Sequence, residues 1–314
     1  MKDPATEHIL QAALCMTRQC WEQGMFSYAL MLTGRNQLLD MVVYDMVIRQ
    51  STDGRLCNVE DTPAVTDSAF CIPAVLQTGN RLGRQDYIEA AHRNAQYLLR
   101  DAPRTSDGIL FHMRGTSQIW ADSAAFLPYS LVIAGHPQEG YHQLAGICDK
   151  LYLKESGLYA HILDCETGEF PDRRAWSVGV GWILTGLERT LRALPREMEE
   201  ERNDLKERFL DLTEKVLSFQ TQDGGFHDVM DDPETYPETE TPAMIACALY
   251  AGIRDGLLDP ALKERSDGMA EYVHRKTLPD GRVFDAAGSP TFDRPGTSVE
   301  CQAHVLMMHA LRDT

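Results

Sequence analysis

Ser117-Gln118-Ile119-Trp120-Ala121-Asp122-Ser123-Ala124-Ala125-Phe126-Leu127-Pro128-Tyr129-Ser130 is the stretch from which the rest of the chain can be read. Its pattern predicts a mostly apolar helix whose first turn carries an acid, Asp122, just after an aromatic residue. Free N–H groups at a helix start favour the carboxylate, and a wall formed by Trp120 and Phe126 desolvates it, an environment that suits a proton donor. The plainer reading is a first-turn aspartate that only stabilises its helix. Repetition favours the first reading, because the chain builds the same kind of place several times.

Outward from this stretch, a small-residue turn followed by an apolar residue recurs as Asp53-Gly54, Asp107-Gly108, Ser156-Gly157, Asp223-Gly224 and Asp280-Gly281. Each turn follows a polar amphipathic segment and precedes, after a loop, a more apolar one. Periodicity predicts twelve helices, over about 4–18, 21–33, 36–50, 66–79, 84–100, 121–135, 139–153, 176–193, 198–219, 239–254, 258–277 and 297–312. Short turn-rich links such as Thr33-Gly34-Arg35-Asn36 and Ala134-Gly135-His136-Pro137 make the helices they join antiparallel neighbours. Alternating apolar and amphipathic helices, with short turns at one end and long loops at the other, fit a closed double ring of six hairpins with the apolar helices inside. The first and last helices pair to close it. No period-2 pattern is long enough for a major sheet, although short hairpins fit the residues after each turn. The expectation is an all-α (α/α)6 barrel, with residues 1–314 forming a single domain.

In that ring the six inner helices all start on one face, around a central depression. The starts are Trp21-Glu22-Gln23, Thr66-Asp67-Ser68, Ala121-Asp122-Ser123, Trp176-Ser177, Thr239-Glu240-Thr241 and Ser298-Val299-Glu300, and the loops add His112, Gln118, Trp120, His161 and His227. Carboxylates, amides and aromatic faces around a concavity are what sugar binding uses. For each histidine the competing reading is a loop residue satisfied by its neighbours, and for the tryptophans it is inner-ring packing.

With 314 residues, 43% of them hydrophobic, the chain can bury a large core. A formal charge of −17 disfavours nucleic acid and anionic membrane surfaces as partners and makes a short substrate more suitable than a long polyanion. No apolar run suits a membrane span, and the start MKDPATEHIL lacks the apolar core of a signal peptide, so the expected location is cytoplasmic. Oligomeric state is not legible. The eight cysteines are scattered without a C-x-x-C pair or a zinc-like Cys/His spacing, which argues against a metal site and for buried thiols. The acidic run from Glu197 to Asp204 reads as a solvated helix start. Nucleotide loops and a G-x-S-x-G elbow are absent.

At this point the residues resemble a known group. Gln118-Ile119-Trp120-Ala121-Asp122, with His112 before it, resembles the segment carrying the catalytic aspartate in the unsaturated rhamnogalacturonyl and unsaturated glucuronyl hydrolases, glycoside hydrolase families 105 and 88. Gly157-Leu158-Tyr159-Ala160-His161 is similar to the segment whose histidine faces substrate, residues 238–256 resemble the fifth inner helix, and Asp67 stands in the place of the second aspartate. The departure lies in Trp176-Ser177-Val178-Gly179-Val180-Gly181-Trp182, where the resemblance leads one to expect arginine at 178 and a polar residue at 180. Valine gives an apolar wall where arginine gives a fork for a carboxylate. Arg173 and Arg174 read as exposed loop residues, although they are near enough in sequence to reach the site from another side.

The resemblance implies six-hairpin α/α barrels that release an unsaturated uronic acid from the non-reducing end of a small oligosaccharide by hydrating its 4,5 double bond, with no metal or organic cofactor. Carried onto this chain, Asp122 is the acid/base and Asp67 its partner. His112, Gln118 and His161 contact hydroxyls or carboxylate, while Trp120, Trp176 and Trp182 line the sugar subsite. The double valine keeps two alternatives open: an acid-catalysed isomerase, dehydratase or cyclase of a non-carbohydrate metabolite, and a non-catalytic binding barrel.

Overall fold

Glycine turns and helix starts fix how the hairpins stack. The computed structural model describes residues 4–59, 61–288 and 291–312. Among them are twelve α-helices: α1 (Pro4–Met16), α2 (Cys20–Leu32), α3 (Asn36–Ile48), α4 (Ile72–Leu82), α5 (Gln85–Arg100), α6 (Leu127–Ile133), α7 (Pro137–Leu151), α8 (Ser177–Ala193), α9 (Glu199–Leu217), α10 (Glu240–Arg254), α11 (Lys263–Arg275) and α12 (Val299–Arg312). The expected helices are all present, within a few residues at most ends. Two inner helices start differently, because 3₁₀ turns at Asp67–Cys71 and Ala121–Ala124 precede α4 and α6.

The even-numbered helices form the inner ring. α2 packs on the turn before α4, α6 and the turn before it pack on α8, α8 packs on α10, α10 on α12, and α12 on α2, which closes the circle. Each outer helix pairs with an inner one, α1 with α12 as the chain ends required. Helices α8 and α10 are buried along nearly their whole length and are mostly apolar on every side, with Glu188 and Arg189 of α8 and Glu240 of α10 buried as well. Close approach within the ring depends on small residues: a Cβ at Gly186 of α8 would lie 2.1 Å from the carbonyl oxygen of Ala124.

The repeated turns dock each outer helix against the next. Gly54 sits on Arg93 of α5, Gly108 on His142 of α7, Gly157 on Lys215 of α9, Gly224 on Gly268 of α11, and Gly281 on His8 of α1. Gly281 shows why glycine is required: its φ is +87°, and a Cβ would lie 2.1 Å from the His8 carbonyl carbon.

Among the described residues, sheet is limited to four two-stranded antiparallel ribbons at the loop end. One of them positions the site. Gln118–Trp120 pairs with Ile162–Asp164 in the register Trp120↔Ile162, and the Ala121 N–H donates to the His161 carbonyl at 2.9 Å. The loop before α6 and the loop before α8 are thereby joined, and Asp122 meets His161. No helix among the described residues is long and apolar enough to cross a membrane.

Candidate active site

A cavity of about 530 Å³ opens where the inner helices start. Its acids are Asp67, Asp122, Glu240 and Glu300, one at the start of each of four inner helices, and its aromatic walls include Trp21, Phe70, Trp120, Trp176 and Trp182. Seven of the eight expected site residues line it. Gln118 does not; its amide oxygen accepts the indole N–H of Trp120 at 3.0 Å and so fixes that ring. His227 also stays outside, its Nδ1 lying 2.8 Å from the Thr235 carbonyl.

Two acid–histidine pairs face the cavity. His161 Nε2 lies 3.2 Å from Asp122 Oδ2, an ion-pair separation without the alignment of a hydrogen bond. On its other side Nδ1 meets Asp172 Oδ2 at 3.0 Å. His112 Nε2 lies 3.7 Å from Asp67 Oδ1, while its Nδ1 is held by the hydroxyls of Thr66 and Ser123 at 2.9 and 3.1 Å. The Trp120 ring stacks on His112 with centroids 4.5 Å apart and meets His161 edge-on, so one indole braces both imidazoles.

Burial alone would lower the His161 pKa, but Asp122 and Asp172 outweigh it and raise it to about 9, leaving an imidazolium at neutral pH. The same contact works on Asp122 in reverse. Burial opposes its ionisation, yet His161 holds the carboxyl below its ordinary range. The resting Asp122 is therefore a carboxylate: the desolvating wall expected from the sequence is present, but the adjacent cation outweighs it. It is Asp67 whose carboxyl is pushed up, by burial and by the Asp122 charge, with His112 and Arg55 only partly offsetting them.

A second acidic wall lies on α10 and α12. Glu300 accepts the Trp21 indole N–H at 2.6 Å and is raised to about 7 by burial and the Glu22 charge. Glu240 contacts Ser298 and His304, at 3.1 and 3.0 Å. Burial and the neighbouring Glu300 raise the acid, while burial depresses His304 to about 3, so the pair is neutral with the proton on Glu240. Both glutamates stand among the helix starts that the sequence places around the depression, and both line it, but the sequence does not mark their raised protonation.

Val178 lines the cavity; Val180 is buried but is not among the residues that line it. Among the described residues no lysine or arginine lines it. Arg173 pairs with Glu155 outside, and Arg174 reaches the site only through Asp172, which its Nε and Nη2 grip at 2.9 and 2.7 Å. Buried Arg55 bonds Asp53, Asp61 and the Thr62 and Ala64 carbonyls, which shapes the wall formed by residues 62–64.

Comparison with known proteins gives one consistent picture. The model of Glycosyl Hydrolase Family 88 matches residues 4–289. An unsaturated 3S-rhamnoglycuronyl hydrolase from Formosa agariphila is 29% identical over 153 residues, covering 46% of this chain and 39% of that protein. An unsaturated rhamnogalacturonyl hydrolase from Bacillus subtilis is 27% identical over 182 residues, covering 54% of this chain and 53% of that one. The matched regions thus span about half or less of these relatives' lengths. In three dimensions, a possible member of family GH105 from Klebsiella pneumoniae superposes with a TM-score of 0.84 at 16% identity, over 99% of this chain and 91% of the other.

Proposed function

The chain belongs to Glycosyl Hydrolase Family 88, and from that premise we propose that it is a glycoside hydrolase that removes an unsaturated uronic acid from the non-reducing end of a small oligosaccharide. The observation that carries this reading is the pairing of Asp122 with His161, beside Asp67 and His112, in an aromatic-walled cavity.

The Asp122–His161 pair holds one proton between its members. Transfer from Nε2 to Oδ2 converts imidazolium and carboxylate into neutral imidazole and carboxylic acid, and Asp122 then protonates C4 of the enol ether. Positive charge develops at C5 and the ring oxygen, and water adds to C5. Asp122, now a carboxylate again, accepts the proton the water releases, so one residue serves both transfers. The resulting hemiketal opens to a ketone at C5, and the hemiacetal left at C1 expels the aglycone. Asp67, the more readily protonated acid, orients the water, and His112 fixes Asp67. Trp120, Trp176 and Trp182 provide faces for the sugar, and His161 is a cation available to the incoming uronate until its proton passes to Asp122.

The reaction removes a conjugated chromophore. Loss of ultraviolet absorbance on mixing with short unsaturated galacturonides or glucuronides, absent with Asp122→Asn, is the expected result; unchanged absorbance with every such substrate would overturn the reading.

A second reading rests on the wall opposite. Four carboxyl groups and no lysine or arginine among the described cavity-lining residues favour a substrate without an anionic end, hence an isomerase, dehydratase or cyclase using the same proton pair. Turnover of neutral metabolites without consumption of unsaturated uronides would select it.

A further inference from the structure

We propose that Asp172, a residue outside the cavity, is a positioning residue that holds His161 with Nε2 turned to Asp122 and keeps the pair supplied with its proton. The proposal deepens the hydrolase reading and rests on it for the reaction concerned.

The geometry is a chain of alternating charge that runs from the surface to the cavity. Arg174, more than half exposed, donates from Nε to Asp172 Oδ1 and from Nη2 to Asp172 Oδ2, and its backbone N–H donates to Oδ1 at 3.1 Å. The largely buried Asp172 accepts Nδ1–H of His161, and His161 faces Asp122. The backbone holds the partners in register: the Ile162 N–H donates to the Asp172 carbonyl at 2.9 Å and the His161 N–H to the Arg174 carbonyl at 3.2 Å. Residues 172–174 therefore run as a third, irregular strand beside the ribbon that carries His161. An acceptor fixed on Nδ1 decides which nitrogen is presented to the cavity, and a charged acceptor also favours the imidazolium.

Every charged group near the pair has a place in this scheme. Asp122 faces His161 from the turn before α6, and Asp172 with Arg174 behind it from the third strand. Asp228, bonded to the Trp176 indole at 3.1 Å, acts on Asp172 and Arg174, while His112 and Asp67, with Glu240 and Glu300 of the second acidic wall, act on Asp122 across the cavity. Among the described residues only Asp172 bonds Nδ1. A loop staple would need the Asp172–Arg174 contact alone, and His161 would then titrate independently of it.

The test is Asp172→Asn in the full-length protein, which keeps an acceptor for Nδ1–H and removes the charge. His161 is followed by ¹⁵N-detected NMR titration, and the pH profile of kcat is measured on an unsaturated galacturonide. The expected result is that His161 titrates well below about 9, toward the ordinary imidazole value of about 6.5. The alkaline limb of kcat moves down with it, and kcat at pH 8 falls by about 10- to 30-fold. Arg174→Gln, which leaves Asp172 in place, is expected to move both curves less and provides the reading if the asparagine variant does not fold. An unchanged His161 titration in the folded variants would overturn the proposal. Should the wild type consume no unsaturated uronide, the NMR titration still decides the role of Asp172, so failure of the hydrolase reading is distinguishable from failure of this one.

Discussion

His161 Nε2 and Asp122 Oδ2 stand 3.2 Å apart at the point where two loops of the ring meet, and that separation makes an imidazolium and a carboxylate of two groups that burial alone would neutralise. The first prediction concerns this pair. Asp122→Asn removes the group that carries the proton to carbon, so kcat on an unsaturated galacturonide is expected to fall by about 10²- to 10⁴-fold. His161 should also titrate lower once its partner is neutral. Initial rates and an NMR titration check the two consequences separately, and retained turnover would remove Asp122 from the chemistry.

Stability should carry the same signature. The folded pKa of His161 is raised, so the stabilisation it brings is fully present below the unfolded imidazole value of about 6.5 and is lost as pH climbs through about 9. Asp122 is shifted the other way, and its contribution is lost only when pH falls below the ordinary carboxylate range. Wild type should therefore exceed His161→Gln by on the order of 2–3 kcal/mol at pH 6 and by much less above pH 9. Urea unfolding at a series of pH values measures the difference; a gap that widens with pH would contradict the ion pair.

How much of this was legible follows from what each feature depends on. The twelve helices were, because hydrophobic period and turn residues are local, and so was the convergence of Trp21, Asp67, Asp122, Trp176, Glu240 and Glu300, since alternating hairpins leave the inner helices no other way to point. The protonation order was not. It is set by His161 and Asp172, which reach Asp122 only through a ribbon register that leaves no periodic signal in so short a strand. Gln118 shows the same limit: two residues before Trp120 on one strand, it bonds that indole instead of entering the cavity.

Glu300 offers a test of the opposite sign. Its folded pKa, about 7, lies above that of a free glutamate, so the folded protein holds a proton that the unfolded chain releases first, and stability is lost as pH rises from about 4.3 through 7. Glu300→Gln keeps an acceptor for the Trp21 indole and removes this burden. A gain on the order of 2–3 kcal/mol at pH 8, vanishing near pH 4, is expected in chemical denaturation; a loss at pH 8 would mean that the charge is matched in the folded state.

Gly281 tests the docking of outer helices. With φ at +87° and His8 backbone 2.1 Å from a modest added Cβ, Gly281→Ala must move the turn off α1, the helix that closes the ring against α12. A loss of about 2 kcal/mol or more is expected in urea unfolding. Gly34→Ala, where φ is +66° but nothing lies within 4 Å of the added carbon, should cost less. Equal losses would assign the whole effect to backbone conformation and none to the helix contact.

Val178 is where the uronate reading can be tested from the side of the substrate. It lines the cavity at the start of α8, among aromatic walls, and an arginine there would present two parallel N–H donors to a carboxylate. If the cavity takes an unsaturated uronate, Val178→Arg should lower KM for an unsaturated galacturonide by about tenfold, a typical strength for a charge-assisted contact, and leave kcat within a few-fold. Val178→Leu, which adds bulk without charge, should raise KM. Steady-state kinetics of the two variants separate charge from volume. An arginine variant with KM unchanged would place the carboxylate elsewhere, beside His161, and one that lost binding altogether would favour a substrate with no anionic end.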